Sequence, residues 1–262
     1  MWLLWTGSPA LAGAAEDDIA RAIASCSGAR YPLPPLSADQ RAQLARGEVV
    51  KIVHQADDPQ APSTATGIAV LDHDRPHLWL AAQDPHASVD ESLVEFVIES
   101  LGPDHALWYG HMDLPRPITD RQWVVESTNN HGLGEACWEH RWKLVEGALD
   151  RVIPLVEAGG KRVTRAQLDE AIYTPVNQGN WLMAPLADGR TLISYQATSV
   201  VGGSIPDWLV LQLTMARLDS VFQSVSDRAT SWVPGHYGPA HPPVYGGDGR
   251  PIPQQALAGR GQ

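Results

Sequence analysis

The chain has 262 residues, of which 30 are acidic and 19 are basic, so its formal charge is −11 at pH 7. An acidic chain repels phosphate backbones, which argues against nucleic-acid binding, and two cysteines are too few for a scaffold built on disulfides. Ten tryptophans stand against six tyrosines and two phenylalanines. Because an indole combines a large apolar surface with one N–H donor, this excess indicates a core or cavity lined by large, partly polar rings.

The first 15 residues carry no charge and combine an apolar stretch with small residues. Two tripeptides, at 10–12 and 12–14, fit the small-x-small pattern of a signal-peptidase site, although no basic residue precedes the stretch. We therefore predict that residues 1–15 form an export signal or else a disordered leader. Export would place the protein in the periplasm or another extracytoplasmic compartment, and an uncleaved leader would favour the cytoplasm.

Cys26 and Cys137 could pair in an oxidising compartment, but their spacing does not decide between one disulfide and two separate thiols. Residues 233–262 are rich in proline and glycine and have no apolar periodicity, which predicts a disordered tail. Between these ends, residues 37–232 are predicted to form one domain.

The first half of this domain begins with a short helix that is capped by Ser37. Periodicity then predicts strands over 48–55 and 64–71, a short helix over 74–82, and strands over 93–101, 106–114, 122–128 and 136–144. Trp138, His140 and Trp142 share one face of the last of these strands. On the same alternation, Glu95 is expected to point outward.

The second half is irregular over 145–170, where a short helix is predicted from Thr164, and continues with strands over 180–186 and 191–201. The clearest helix covers 207–231, where apolar residues recur three and four positions apart in a single stripe. A meander of six or seven antiparallel strands with this helix across its mouth is the economical packing of these parts. A cavity of that kind holds apolar ligands.

Three segments resemble motifs of START domains, the StAR-related lipid-transfer family within the helix-grip superfamily, and the resemblance covers about residues 47–232. The first, YGHMDLPRPITDRQ at 109–122, is similar to the family's strand that ends in a Pro-x-Pro turn and an Arg-Asp pair, with Gln122 in place of the usual Asp. The second comprises Asn180-Trp181, Pro185, Asp188-Gly189, Thr191 and Tyr195, and the third is the glycine–proline entry to the last helix at 202–208.

The resemblance implies an α+β helix-grip fold, in which a curved antiparallel β-sheet wraps around a long C-terminal helix and encloses a hydrophobic cavity. It also implies that strand residues point into this cavity and that the helical stripe covers them as a lid. Strand alternation adds His140 and Trp142 to the residues expected to face the cavity. Of all these residues, Ser127, His140 and Tyr195 could hydrogen-bond a head group. The candidate ligand-binding residues are Trp123, Ser127, His140, Trp142, Trp181, Tyr195, Leu211, Met215, Leu218 and Phe222. Plain core packing is the alternative explanation for the stripe and for the strand tryptophans.

We expect a monomeric, non-enzymatic carrier of a hydrophobic lipid, with a sterol as the first candidate and a phospholipid as the second. It would use no cofactor and no metal, and it would contact a membrane transiently or act with a membrane transport partner. The sequence carries no metal-ligand spacing, nucleophile elbow or phosphate-binding loop. The alternative is an enzyme similar to polyketide cyclases and aromatases, which needs only a shaped cavity and one or two acid–base groups such as His111 or His140. A lipid sensor whose tail contacts a partner is a third hypothesis.

Overall fold

The computed structural model describes residues 9–257 except 57, 59, 60, 85–91, 103 and 239. Its helices are α1 (Pro9–Ser25), α2 (Ala38–Ala45), α3 (Arg75–Gln83), α4 (Ile153–Glu157), α5 (Arg165–Glu170), α6 (Asp207–Ser231) and α7 (Val233–His236). Its strands are β1 (Val50–His54), β2 (Thr64–Leu71), β3 (Leu93–Gly102), β4 (His105–Met112), β5 (Arg121–Asn129), β6 (Trp138–Leu144), β7 (Ile172–Tyr173), β8 (Val176–Pro185) and β9 (Thr191–Val200). Of the helices in these ranges, none has the length and apolar character that a membrane span requires.

The strands form a single curved sheet in the order β1-β2-β9-β8-β6-β5-β4-β3. Every neighbouring pair along this path is antiparallel, and the short β7 adds a parallel pairing to β5. The predicted α+β architecture, a curved antiparallel sheet with a long C-terminal helix, is confirmed. The strand β7 was not foreseen, because a two-residue strand is too short to show alternation.

Helix α6 lies across the concave face of the sheet and packs on β2, β9 and α3. The closest approach is at Gly67 of β2, where a Cβ atom would lie 2.8 Å from Cε2 of Phe222 and 3.0 Å from Cδ2 of Leu218. A side chain at this position would therefore push the helix away from the sheet. The residues that stand opposite Gly67 in the neighbouring strands define the concave face.

The N-terminal helix α1 packs on the outer, convex face, where its Ile19 joins Leu44 of α2 and Ile68 of β2 in one buried cluster. A disulfide joins Cys26 at the end of α1 to Cys137 at the start of β6, which settles the question that the spacing left open. The folded region thus begins well before residue 37. Residues 1–8 of the predicted leader lie outside the described residues, and its cleavage stays a prediction.

The buried carboxylate of Glu139 binds the segment that follows α1 to the convex face. Glu139 of β6 has no exposed surface and accepts hydrogen bonds from Arg30 N at 3.0 Å, Asn130 Nδ2 at 2.7 Å and Asn180 Nδ2 at 2.8 Å. These donors replace the hydrogen bonds to water that burial removes.

The C-terminal segment differs from the disordered tail predicted for 233–262. Val233, Ile252 and Leu257 are buried in the cluster that also contains Trp79 and Trp138, and the Trp79 indole donates to Tyr245 O at 3.1 Å. A few apolar side chains inserted one at a time produce no periodicity, so the sequence pattern did not reveal this packing. Residues 258–262 lie outside the described residues.

The disulfide leads to a first prediction. Its two cysteines are 111 residues apart, so the link removes much freedom from the unfolded chain. Replacing both cysteines by serine should lower the free energy of unfolding by about 2–5 kcal/mol in urea titrations. The unmutated chain kept in reductant is the matched control and should show the same loss, whereas unchanged midpoints would contradict the prediction.

Candidate ligand-binding site

The strand register brings the predicted strand residues onto the concave face. Tyr195 of β9 stands between Gly67 of β2 and Trp181 of β8, and Trp181 pairs with His140 of β6. One row along, Trp142 of β6 stands opposite Ser127 of β5. Trp123 lies four residues before Ser127 on the same strand, so strand alternation places it on this face as well. All six strand residues that the sequence named thus share one surface.

Two glycines let indole rings lie flat against this surface. Gly110 of β4 pairs with Trp123, and a Cβ at Gly110 would lie 2.2 Å from Cε2 of that ring. Gly179 of β8 pairs with Trp142 in the same way, with 2.5 Å between such a Cβ and Cζ2 of the ring. Each glycine provides the room that its neighbour's ring occupies. The two rings therefore form part of the floor of the concave face.

An aromatic ladder continues from this floor to α6. The Trp142 and Tyr195 rings stack at 5.6 Å between centroids with 24° between their planes, and Tyr195 lies 4.7 Å from Trp181. Trp181 in turn meets Phe222 of α6 edge-on at 6.3 Å. The indole N–H of Trp142 donates to Asn177 Oδ1 at 3.0 Å. The ladder fixes the rings on which an apolar ligand would rest.

The four stripe residues of α6 divide into two pairs. Leu218 and Phe222 are fully buried against the sheet, which is core packing, the alternative considered for the stripe. Leu211 and Met215 keep part of their surface accessible. Leu211 lines a cavity of about 230 Å³ between the first half of α6 and Ala65 and Ala197 of the sheet. Since drug-sized ligands occupy about 300–1,000 Å³, a lipid would require this half of the helix to shift.

The half of the concave face that lies away from β2 and β9 is not closely packed. Trp108, Trp123 and Trp142 are only half-buried although they face inward, whereas Met183 and Ile193, nearer to the helix, have no exposed surface. The difference follows from the position of α6, which packs on β2 and β9. The partly accessible rings therefore form an apolar surface on the concave face that a ligand could cover.

Polar groups on this face are held in neutral forms. Burial lowers the pKa of His140 to about 4, so its imidazole is neutral at pH 7. The His140 Nδ1 atom lies 2.8 Å from Asn129 Oδ1, an acceptor, so Nδ1 carries the proton and Nε2 is left as an acceptor. Burial, and then the Glu95 carboxylate, raise the pKa of Tyr195 to about 12. Ser127 Oγ donates a long bond of 3.4 Å to Ala106 O.

The structure corrects the expectation that Glu95 points outward. Glu95 pairs with Gly110, which places it on the concave face beside Trp123. The apolar residues that alternate with it, Val94 and Phe96, pack in a second cluster on the convex side with α4 and α5. Alternation thus identified a real core, but this core lies on the convex face, while Glu95 and Val97 on the concave face are exposed.

Glu95 and Arg228 of α6 are functional candidates that the sequence did not reveal. Burial raises the pKa of Glu95 while the Arg228 guanidinium lowers it, and burial lowers the pKa of Arg228 against the opposing effects of Glu95 and Asp84. Glu95 is nevertheless exposed, and it lies on β3, the strand at the edge of the sheet. The Trp108 Nε1 group, also on this face, is buried without a hydrogen-bond partner and is a donor available to a ligand.

Neither a protein-family model nor a curated protein matches the chain, but solved structures match it in fold. A STAR-related lipid transfer protein from Xanthomonas axonopodis aligns with a TM-score of 0.53 and 16% identity, over 69% of this chain and 93% of that one. Human STARD10 gives 0.55 and 14%, over 78% and 84%. Human StAR-related lipid transfer protein 5 gives 0.54 and 12%, over 84% and 97%. The chain has a START-like helix-grip fold. This confirms the fold class that the three motifs implied.

Within the START-like fold, the flat position of Trp123 depends on Gly110, and this gives a second prediction. Gly110→Ala should force the ring out of its place and into the space above the floor. We expect a loss of about 1–3 kcal/mol in unfolding free energy and a change in tryptophan emission. Gly235→Ala is the matched control, because no atom lies within 4 Å of the added Cβ. Equal stability of the two variants would contradict the flat-ring arrangement.

Proposed function

We propose that the chain binds a hydrophobic lipid with a small polar end between the concave face and α6, and carries it without chemical change. The observation behind this proposal is the set of inward-facing tryptophans, Trp108, Trp123 and Trp142, that keep accessible surface. Covering such surface with a lipid contributes about 25 cal/mol per Å² before the costs of ordering. The START-like fold supports the proposal through its lipid-transfer neighbours.

A sterol is our first candidate ligand and a phospholipid the second. A rigid sterol ring system can lie flat on the Trp123 and Trp142 rings, and its single hydroxyl can donate to His140 Nε2 or accept from Trp108 Nε1. A phosphate would need a cation, whereas the Arg228 guanidinium is already influenced by the Glu95 and Asp84 carboxylates. The concave face is therefore better suited to a hydroxyl than to an anionic head group.

We also propose that the protein works outside the cytoplasm. A structural disulfide persists in oxidising compartments, and the predicted leader supports export. The formal charge of −11 disfavours electrostatic docking on anionic lipid, so we propose delivery through a membrane transport partner, by a monomer.

Export gives a third prediction. Protein isolated from its native host should begin near Gly13 or Ala15 when its N-terminus is sequenced, because the small-x-small sites end there. Protein expressed without the export pathway should keep the leader and serves as the control. Intact leader on the native protein would contradict the extracytoplasmic location.

A cyclase-like enzyme is a second candidate, favoured by one observation. The neutral His140 and the Glu95 carboxyl, whose pKa is raised, face the same space, and such a pair can act as base and acid. His111, the other histidine considered for this chemistry, is buried on the convex side of β4. An enzyme on this fold would therefore depend on His140.

A lipid-retention experiment gives the fourth prediction. Purified chain is extracted with organic solvent, and the bound molecules are identified and quantified by mass spectrometry against added sterol and phospholipid vesicles. Met215 lies one turn from Leu211 on the side of α6 that faces the sheet, so Met215→Arg should reduce the retained lipid at least about tenfold, because a guanidinium there would be desolvated without a partner.

The matched control is Leu213→Arg, at a position on α6 whose side chain is 55% exposed, and it should retain lipid as the unmutated chain does. Equal retention by folded Met215→Arg would place the ligand elsewhere. A chain that retains neither sterol nor phospholipid would contradict the carrier proposal, and recovery of a chemically altered polyketide-like molecule would favour the enzyme.

A further inference from the structure

A second group of functional side chains lies on the convex side, away from the ligand-binding space. It comprises His111 near the end of β4, Asp113 just after that strand, and Asp120 at the far end of the loop that precedes β5. One ligand atom from each lies within 4.8 Å of the other two. His111 Nε2 is 3.1 Å from Asp113 Oδ1 and 3.5 Å from Asp120 Oδ2.

A chain of hydrogen bonds behind His111 determines which of its nitrogens carries a proton. The Gln122 amide donates from Nε2 to Leu168 O at 2.8 Å and to Ala171 O at 2.9 Å, so its Oε1 is directed the other way. That oxygen accepts the hydroxyl hydrogen of Tyr109 at 3.1 Å.

The Tyr109 oxygen is then free only to accept, and the hydrogen between it and His111 Nδ1, 3.3 Å away, belongs to the imidazole. With Nδ1 turned to Tyr109, His111 directs Nε2 at the two carboxylates. His111 itself has no exposed surface. One nitrogen and two carboxylate oxygens therefore converge at a point where all three can hold a cation.

The distances fit a metal ion. Two ligands of a tetrahedral zinc ion, each about 2.0–2.1 Å from the metal, are about 3.3 Å apart, and the two measured distances lie on either side of this value. A metal-binding histidine also needs a hydrogen bond at its other ring nitrogen, which fixes the orientation of the ring. Tyr109 holds His111 by Nδ1, and Leu114 N donates to Asp120 Oδ1 at 2.9 Å, which leaves Oδ2 for the ion.

We propose that His111 Nε2, Asp113 Oδ1 and Asp120 Oδ2 bind a zinc ion, with water as the fourth ligand. The Asp113 side chain is 49% exposed, so the fourth position is open to solvent. The ion would join the end of β4 to the start of β5 and stabilise the loop between them. The sequence did not predict a metal, because the ligand spacing of 111, 113 and 120 becomes meaningful only when this loop folds back.

The test uses the full chain with its disulfide intact, treated with chelator and titrated with zinc chloride by calorimetry. The structure contains no free cysteine in its described residues, so thiolates do not compete for the metal. We expect one zinc per chain, and intense visible absorption of the tetrahedral type when cobalt(II) replaces zinc. Asp113→Asn should weaken zinc binding roughly tenfold or more, by loss of a ligand.

Asp150→Asn is the matched control, since Asp150 is exposed and lies outside the group, and it should bind zinc as the unmutated chain does. Tyr109→Phe removes only the orienting hydroxyl and should weaken binding by about 10–100-fold. Near-UV circular dichroism verifies that each variant is folded. Absence of one-to-one binding, or equal affinity of Asp113→Asn and the unmutated chain, would overturn the proposal.

Discussion

The ligand-binding region depends on a difference in width between one helix and the sheet that holds it. Eight strands spaced about 4.8 Å apart span about 34 Å, whereas a helix with its side chains is about 10–12 Å across. Helix α6 therefore packs on β2 and β9, and in the part of the chain that the structure describes the inward tryptophans of β4 and β5 keep accessible surface. Because Gly67 has no side chain, α6 can lie close to β2. This leaves more room over the strands at the other end of the sheet.

The same sheet is covered on its convex face by α1, α2, α4 and α5, and this explains where sequence reasoning succeeded and failed. The ends of β2 and α6 were predicted correctly because alternation and a helical stripe are strong local signals. Alternation misplaced Glu95, because the buried side of β3 is the convex face, which packs on α4 and α5. The packing of Ile252 was missed because an isolated apolar residue produces no period.

The site could be predicted only in part. Alternation can be read within one strand, whereas the register between strands depends on residues that are far apart in the chain. Trp142 and His140 were correctly placed on one face of β6 from their spacing alone. The glycine that accommodates the Trp142 ring, Gly179, is 37 positions along the chain and meets it only in the register of β6 with β8. Glu95 and Arg228 are separated further still, and no local pattern connects them.

The charges of Glu95 and Arg228 influence each other's pKa, and their presence on this face is better explained by ligand selection than by stability. Two charges withdrawn from bulk water lose hydration that their attraction seldom restores in full, and apolar residues in the same place are often as stable or more so. Burial opposes both charges here, raising the pKa of Glu95 and lowering that of Arg228. Under the proposed function, the pair would make one end of an otherwise aromatic space polar, so that a lipid enters in a single orientation. A fold optimised for stability alone would place apolar side chains at both positions.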